Sequence, residues 1–155
     1  MQFRMATILG LVGLIPFLVF TVFLFLYPHQ LVVLGGFEDY IVIVLSFLGG
    51  LQWGLLAAAR SSSQAESLNS YWILGGCPPI VGWIVLYWPP YWFGFGILAL
   101  AYIAQYFIDV RLVKLNIFPY WLLQLRRLLT TLAVLCLIVV LVRLWLVAHS
   151  LAAMP

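Results

Sequence analysis

Five long apolar runs take up most of the chain, and they constrain its fold more than any other feature. The runs cover residues 5–27, 40–59, 71–88, 92–108 and 128–147. About 20 apolar residues in an α-helix are enough to cross the hydrocarbon core of a bilayer. The runs lack the polar and apolar alternation of β-barrel strands, so helices are the structure that satisfies their backbone groups in lipid. The sequence predicts an all-α, polytopic bundle of five transmembrane helices.

The composition agrees with a single transmembrane domain over residues 1–155. Hydrophobic residues make up 66% of the chain and charged residues 7%, whereas about a quarter of a soluble domain is charged. The net charge of +3 comes from scattered residues, which excludes a phosphate-binding surface and nucleic acid as a partner. The lipid bilayer is the expected partner. The run at 5–27 is too long for a signal peptide and is expected to be retained.

The basic residues predict the orientation of the bundle. With five crossings, six of the seven fall on one side of the membrane: Arg4, Arg60, Arg111, Lys114, Arg126 and Arg127. Arg143 falls on the other side, where a loop with Glu38 and Asp39 adds negative charge. Because cytoplasmic loops are enriched in Lys and Arg, the N-terminus is predicted inside and the C-terminus outside. The segment 110–127 mixes basic and aromatic residues and is expected to lie along the inner surface.

The second run carries a face of small residues and a polar group at membrane depth. The small residues are Ser46, Gly49, Gly50 and Gly54. Such a face lets another helix backbone approach closely, so it is predicted to be a helix packing seam. Gln52, beside Trp53, needs a hydrogen-bond partner or a polar cavity at this depth. An interhelical hydrogen bond and a ligand-facing role are both open.

The fourth run carries a stripe of polar side chains at spacings of three and four residues. Its members are Tyr102, Gln105, Tyr106 and Asp109. Helical geometry places them on one face, which should point into the bundle. Asp109 can pair with Arg111, Arg126 or Arg127, and a structural ion pair with Arg126 is the favoured assignment. A proton or ligand role for Asp109 is the alternative.

The third run contains Pro78 and Pro79 among several glycines. Proline removes a backbone donor, so a kink or a break is expected there, and broken helices form the binding sites of many transporters. The chain has no nucleotide-binding glycine loop, nucleophile motif or metal-ligand spacing. No enzyme activity, metal site or particular cofactor is therefore predicted.

Several short motifs resemble those of a known membrane family. They are residues 13–17 (GLIPF), 46–50 (SFLGG), 52–54 (QWG) and 119–121 (PYW), with Asp109, Leu125 and Arg126. The family is one of unknown function found in bacteria and mitochondria, and its animal member is called transmembrane protein 69. The resemblance covers nearly the whole chain and implies a multi-pass protein of the bacterial inner membrane, without an activity. A weaker architectural similarity is to the tryptophan-rich translocator proteins, which have five helices and porphyrin or sterol ligands.

Three functions fit these features. The favoured one is binding of an apolar ligand (a quinone, a tetrapyrrole or a lipid) inside the bundle. Its predicted ligand-binding residues are Gln52, Trp53, Tyr102, Gln105, Tyr106 and Asp109. The second is an accessory or assembly subunit that contacts other membrane subunits, or itself, through the glycine face. The third is a proton or ion carrier that uses Asp109 and the third helix.

Overall fold

The computed structural model is an all-α bundle, and it describes residues 2–27, 30–59, 69–87 and 91–152. Five helices follow one another: α1 (Gln2–Leu26), α2 (Leu31–Ala59), α3 (Asn69–Leu86), α4 (Tyr91–Lys114) and α5 (Tyr120–Ala152). The prediction of an all-α fold with five helices is confirmed.

Four of the five described helices, α1, α2, α4 and α5, are long and apolar enough to cross a membrane. These helices indicate a multi-pass membrane protein. The prediction of a further span at 71–88 is wrong, because α3 does not combine the length and the hydropathy that mark the other four helices as membrane spans. It has 18 residues, begins with Asn69 and Ser70, and contains two prolines and several glycines. These residues lower its hydropathy below that of its neighbours.

The second helix begins earlier than predicted. It starts at Leu31 rather than at residue 40, so Glu38 and Asp39 lie inside a helix and not in an outer loop. Glu38 is buried on the same face as Leu34 and Leu45. The helical spacing of these buried positions explains the longer helix, since a charged side chain does not by itself end one.

The segment predicted to lie along the membrane surface, 110–127, is mostly helical. α4 continues to Lys114 and α5 begins at Tyr120, which leaves a connection of five residues. Asn116 lies in this connection with a φ of 58°, a left-handed conformation that asparagine tolerates better than most residues. Pro119 precedes the first residue of α5, a position that suits a helix start. Backbone conformation, not charge, therefore determines where α4 ends and where α5 begins.

The start of α1 and the end of α5 lie at opposite ends of the bundle. Gly10 of α1 lies against Leu125 of α5, and Leu56 near the end of α2 shares an apolar cluster with Phe118. Four basic residues lie at this end, here called the basic end: Arg111, Lys114, Arg126 and Arg127. Arg143 lies in the opposite half of α5.

α3 packs closely against α2 because glycines meet at the crossing. Gly49 of α2 faces the carbonyl oxygen of Gly75 in α3, and a Cβ atom on Gly49 would collide with it. α3 stays one continuous helix across Pro78 and Pro79, so a broken helix is not observed. The close approach of the two backbones holds α3 along α2.

The glycines of α2 do not all face the same part of the structure. Gly49 is buried against α3, whereas Gly50 and Gly54 have no heavy atom within 4 Å of where a Cβ atom would lie. The hydroxyl of Ser46 donates to the carbonyl of Val42 in its own helix, at 2.8 Å. Of the four residues predicted to form one seam, Gly49 packs against another helix and the other two glycines face outward.

The two adjacent glycines give a direct test of this packing. Gly49→Ala should lower the free energy of unfolding by about 1–3 kcal/mol, because the backbone carbonyl it meets cannot rotate away. Gly50→Ala adds the same methyl group to open space and should leave the stability unchanged or slightly raised. Thermal unfolding in detergent, followed by circular dichroism, measures both. Equal effects of the two substitutions would contradict the packing.

Candidate functional site

Two glutamines link three helices in the middle of the bundle. The Gln105 amide donates to the side-chain oxygen of Gln52 at 2.7 Å, and the Gln52 amide donates to the carbonyl of Tyr71 at 2.9 Å. Both glutamine side chains are fully buried. Each buried amide thus has a partner in the protein, which avoids the cost of leaving it unsatisfied in an apolar interior. The contacts join α2, α3 and α4.

The aromatic residues of the predicted site lie in different places. The Trp53 indole donates to the carbonyl of Trp72 at 2.8 Å, and its ring remains 46% exposed. The Tyr102 hydroxyl is buried and donates to the carbonyl of Ile41 at 2.9 Å. Tyr106 is half-buried on the side of α4 that meets α5. These three residues therefore do not share one pocket.

A buried ion pair joins α4 to α5 at the basic end. One terminal nitrogen of Arg126 donates to a carboxylate oxygen of Asp109 at 2.7 Å, and both side chains are almost fully buried. The other terminal nitrogen lies 3.4 Å from the carbonyl of Leu48 in α2. The guanidinium also lies 5.9 Å from the centre of the Phe118 ring. The second oxygen of Asp109 has no hydrogen-bond partner among the described residues.

A cleft of about 130 Å³ leads from the lipid-facing surface to this arginine. We call it the Arg126 cleft. Its walls come from α1, α2, α4 and α5: Leu9, Gly10, Gly13, Leu14, Phe17, Val44, Phe47, Leu48, Tyr102, Arg126, Leu129, Thr130 and Ala133. Leu9 and Phe47 are exposed, whereas Arg126 and Tyr102 are buried. The cleft therefore opens sideways between α1 and α2 and ends at polar groups.

A second groove of about 300 Å³ follows the outer side of α4 and α5. We call it the Arg127 groove. Its lining residues are Ile103, Tyr106, Phe107, Arg127, Thr130, Thr131, Val134 and Leu135. Arg127 is exposed, although it directly follows the buried Arg126. The two arginines therefore border different spaces, since successive residues of a helix point about 100° apart.

The structure brings together part of the predicted set. Gln52 contacts Gln105, and Asp109 contacts Arg126. Of the six residues predicted to bind a ligand, Tyr102 lines the Arg126 cleft and Tyr106 lines the Arg127 groove. The other four line neither. The predicted polar stripe thus serves mainly to join helices.

Sequence analysis missed one buried carboxyl group. Glu38 is 5% exposed, and its carboxylate lies over Gly94 of α4, 2.7 Å from where a Cβ atom would lie. The signal was present in the spacing of Leu34, Glu38, Ile41 and Leu45, which marks one helical face. The acidic residue was instead assigned to a loop on account of its charge.

The ion pair predicts how single and double substitutions differ. Asp109→Leu should destabilise the bundle by about 3–5 kcal/mol, because Arg126 would stay buried without a counter-charge. Adding Arg126→Met to Asp109→Leu removes the stranded charge and should recover most of that loss. Thermal unfolding in detergent compares the two variants. A double variant that is no more stable than the single one would show that the pair is not coupled.

Comparison with known proteins places the chain in a family. No curated protein and no solved structure matches it. A family model described as a protein of unknown function (DUF3429) matches residues 2–142, which is nearly the whole chain. The similarity to transmembrane protein 69 and to the translocator proteins stays a prediction. With this coverage, the chain belongs to the DUF3429 family of proteins of unknown function.

Proposed function

We propose that this protein binds a single-ring quinone that enters the Arg126 cleft sideways from the bilayer. The observation that carries the proposal is that buried Arg126 lines an apolar cleft whose mouth lies between exposed Leu9 and Phe47. An apolar molecule in lipid would reach such a mouth without passing through water. The apolar walls would hold its tail, and Arg126 would meet its polar group.

The size of the cleft selects among apolar ligands. A dry cavity of roughly 150 Å³ is enough to bind benzene, and the Arg126 cleft has about 130 Å³. The cleft is slightly smaller than that cavity but opens toward lipid, so we expect room for one small ring and none for the four linked rings of a tetrapyrrole. Gly10 and Gly13 line the cleft, and larger side chains at these positions would fill it. Ligand size thus favours a quinone head group or a lipid chain over a porphyrin.

The chemistry of the arginine selects a ligand with acceptor oxygens. A guanidinium has five N–H donors and no acceptor. Among the described residues, Asp109 and Leu48 each accept one hydrogen bond from Arg126. The remaining donors favour a carbonyl oxygen at the end of the cleft, which a quinone supplies and a plain acyl chain does not. Asp109 would act as a positioning residue that holds the guanidinium in place.

A proton carrier has less support from the geometry. It would depend on a broken α3 and on an acidic group facing a path for protons. α3 is continuous, and Asp109 is paired with Arg126. Ligand binding uses the same residues without requiring a path across the bundle.

We also propose that the bundle lies in a bacterial inner membrane with its basic end in the cytoplasm. The support is the positive-inside rule applied to Arg111, Lys114 and Arg127, which are exposed at this end. The side chain of Arg4 and all of Arg60 lie outside the described residues. In this orientation α1 begins on the cytoplasmic side. α5 ends on the opposite side because α3, although less apolar than the other four helices, carries the chain back along α2, from Tyr71 beside Gln52 to Gly82 beside Val42.

A substitution that fills the cleft tests the proposed function. In Gly13→Leu the new side chain would occupy the cleft, because the nearest atom to a Cβ at Gly13 is the Tyr40 hydroxyl at 4.0 Å. It should abolish labelling of the purified protein in lipid nanodiscs by a photoreactive short-tailed benzoquinone. Val12→Leu adds bulk to the exposed neighbouring position and should leave labelling unchanged.

Mass spectrometry of the labelled protein shows which peptides carry the label and so where the ligand binds. In the unsubstituted chain the labelled peptides should come from the α1 and α5 walls of the cleft. Arg127→Gln should not reduce labelling, because Arg127 lies outside the cleft. Equal labelling of the Gly13→Leu and Val12→Leu proteins would overturn the proposal.

A second candidate function is assembly with another membrane helix. The supporting observation is the outward face of α2, where Gly50 and Gly54 lie four residues apart with open space in front of both. This G-x-x-x-G spacing is a common contact for close helix pairs in membranes. An accessory subunit of a larger complex, or a pair of identical chains, would use this face.

Native mass spectrometry of gently solubilised membranes tests the assembly. The unsubstituted chain should appear in a complex heavier than one copy, and Gly50→Leu with Gly54→Leu should release it as a single chain. Gly96→Leu is the matched control, since Gly96 also has no neighbour within 4 Å of a Cβ atom. An unsubstituted chain that always runs alone would rule the assembly out.

A further inference from the structure

The Arg127 groove combines an apolar floor with positive charge at one end. Ile103 and Phe107 of α4 and Leu135 of α5 line it and are exposed. Arg127 lies at the end of the groove toward the connection between α4 and α5. The groove is therefore amphipathic along the direction in which a lipid molecule lies in a bilayer.

A second arginine extends the charged end. Arg111 follows Ile103 and Phe107 at intervals of four residues on α4, so all three share one helical stripe. Arg111 is exposed, as is Arg127. Within the described residues, neither the Arg111 nor the Arg127 guanidinium forms a hydrogen bond or ion pair with an acidic side chain. The ion pair found there joins Arg126 to Asp109. Arg127 thus lines the groove from α5, and Arg111 lies on α4 about one turn beyond Phe107, just past the lining residues.

Neutral polar groups lie between the arginines and the apolar floor. Tyr106 and Thr130 line the groove and are half-buried, and Thr131 is exposed. The Thr131 hydroxyl donates to the carbonyl of Arg127 at 2.8 Å and so lies next to the charged end. The change from charged to polar to apolar matches the order of phosphate, glycerol esters and acyl chains in a phospholipid.

We infer that the Arg127 groove is a binding site for an anionic phospholipid, with its phosphate between Arg127 and Arg111 and an acyl chain along Phe107 and Leu135. Charge complementarity favours an anionic over a zwitterionic lipid, because two exposed cations have no acidic partner among the described side chains. Basic pockets between helices near a membrane surface are known to select such head groups. This site lies on the α4–α5 face and shares only Thr130 with the lining of the Arg126 cleft. It does not depend on the proposed quinone.

Native mass spectrometry of the full chain with added lipid tests the inference. Phosphatidylglycerol should bind several-fold more tightly than phosphatidylcholine of the same acyl composition. Arg127→Gln and Arg111→Gln should each weaken phosphatidylglycerol binding by about fivefold, the value of one basic residue near a membrane surface. Both side chains are exposed, so both variants should fold. Phosphatidylcholine binding should fall less in each variant, because its choline cation offsets the phosphate charge that both lipids carry.

Lys114→Gln provides the matched control. It removes one positive charge from an exposed position at the same end of the bundle, about one turn farther along α4 from the groove lining than Arg111. It should leave the preference for phosphatidylglycerol intact. Equal binding of the two lipids by the unsubstituted chain would overturn the inference. An equal loss in Lys114→Gln and Arg127→Gln would also overturn it, because it would show attraction to the overall charge instead of a defined site.

Discussion

Arg126 is the residue on which the basic end of the bundle depends. Its guanidinium binds Asp109 of α4, lies near the carbonyl of Leu48 in α2 and covers the ring of Phe118. One side chain of α5 thus contacts two other helices and the connection that precedes its own. Lipid offers no water to replace these contacts, so losing one partner would leave a charge in an apolar interior. The charge must be satisfied by the protein, and this requirement fixes how α2, α4 and α5 meet.

The same helix presents a second arginine to a different environment. Arg126 and Arg127 are adjacent in sequence, yet one is buried and the other is exposed. A rotation of about 100° between successive residues is enough to place them on separate faces. A buried arginine with fixed partners can orient a neutral acceptor, whereas an exposed one attracts a charged head group. The two proposed ligands would therefore be recognised by one short stretch of α5.

The sequence was sufficient to predict the helices but not all of their ends. Apolar runs as long as those at 5–27 and 128–147 leave lipid-spanning helices as the physical solution, and the structure has helices there. The predicted helix ends were wrong at Glu38 and in the segment 110–127, because hydropathy measures transfer into lipid and not helix formation. A side chain that faces another helix is compatible with a long helix whatever its charge. The spacing of the apolar residues predicted the position of Glu38 on the buried face of α2 better than its charge did.

The candidate site was predicted less well, for a different reason. A polar residue at membrane depth needs a partner, and sequence spacing showed that Gln52, Gln105 and Asp109 were such residues. It could not show whether the partner was a ligand or another side chain, because that depends on which helices become neighbours. In the bundle the Gln105 amide donates to the side-chain oxygen of Gln52, and the Gln52 amide donates to the carbonyl of Tyr71. The clefts arise instead where helices meet imperfectly, and no local pattern encodes that.

The third helix shows how a segment of low hydropathy is held in such a bundle. Gln52 and Trp53 of α2 donate to the carbonyls of Tyr71 and Trp72 in α3, and Gly49 admits the backbone at Gly75. Pro78 and Pro79 remove the helical donors to the carbonyls of Leu74 and Gly75, and the side chains of Gln52 and Trp53 donate to the turn just before these carbonyls. Attachment to α2 thus adds to the apolar surface that α3 exposes at Ile73, Ile80 and Trp83. The outward face of α2 at Gly50 remains open for a different contact.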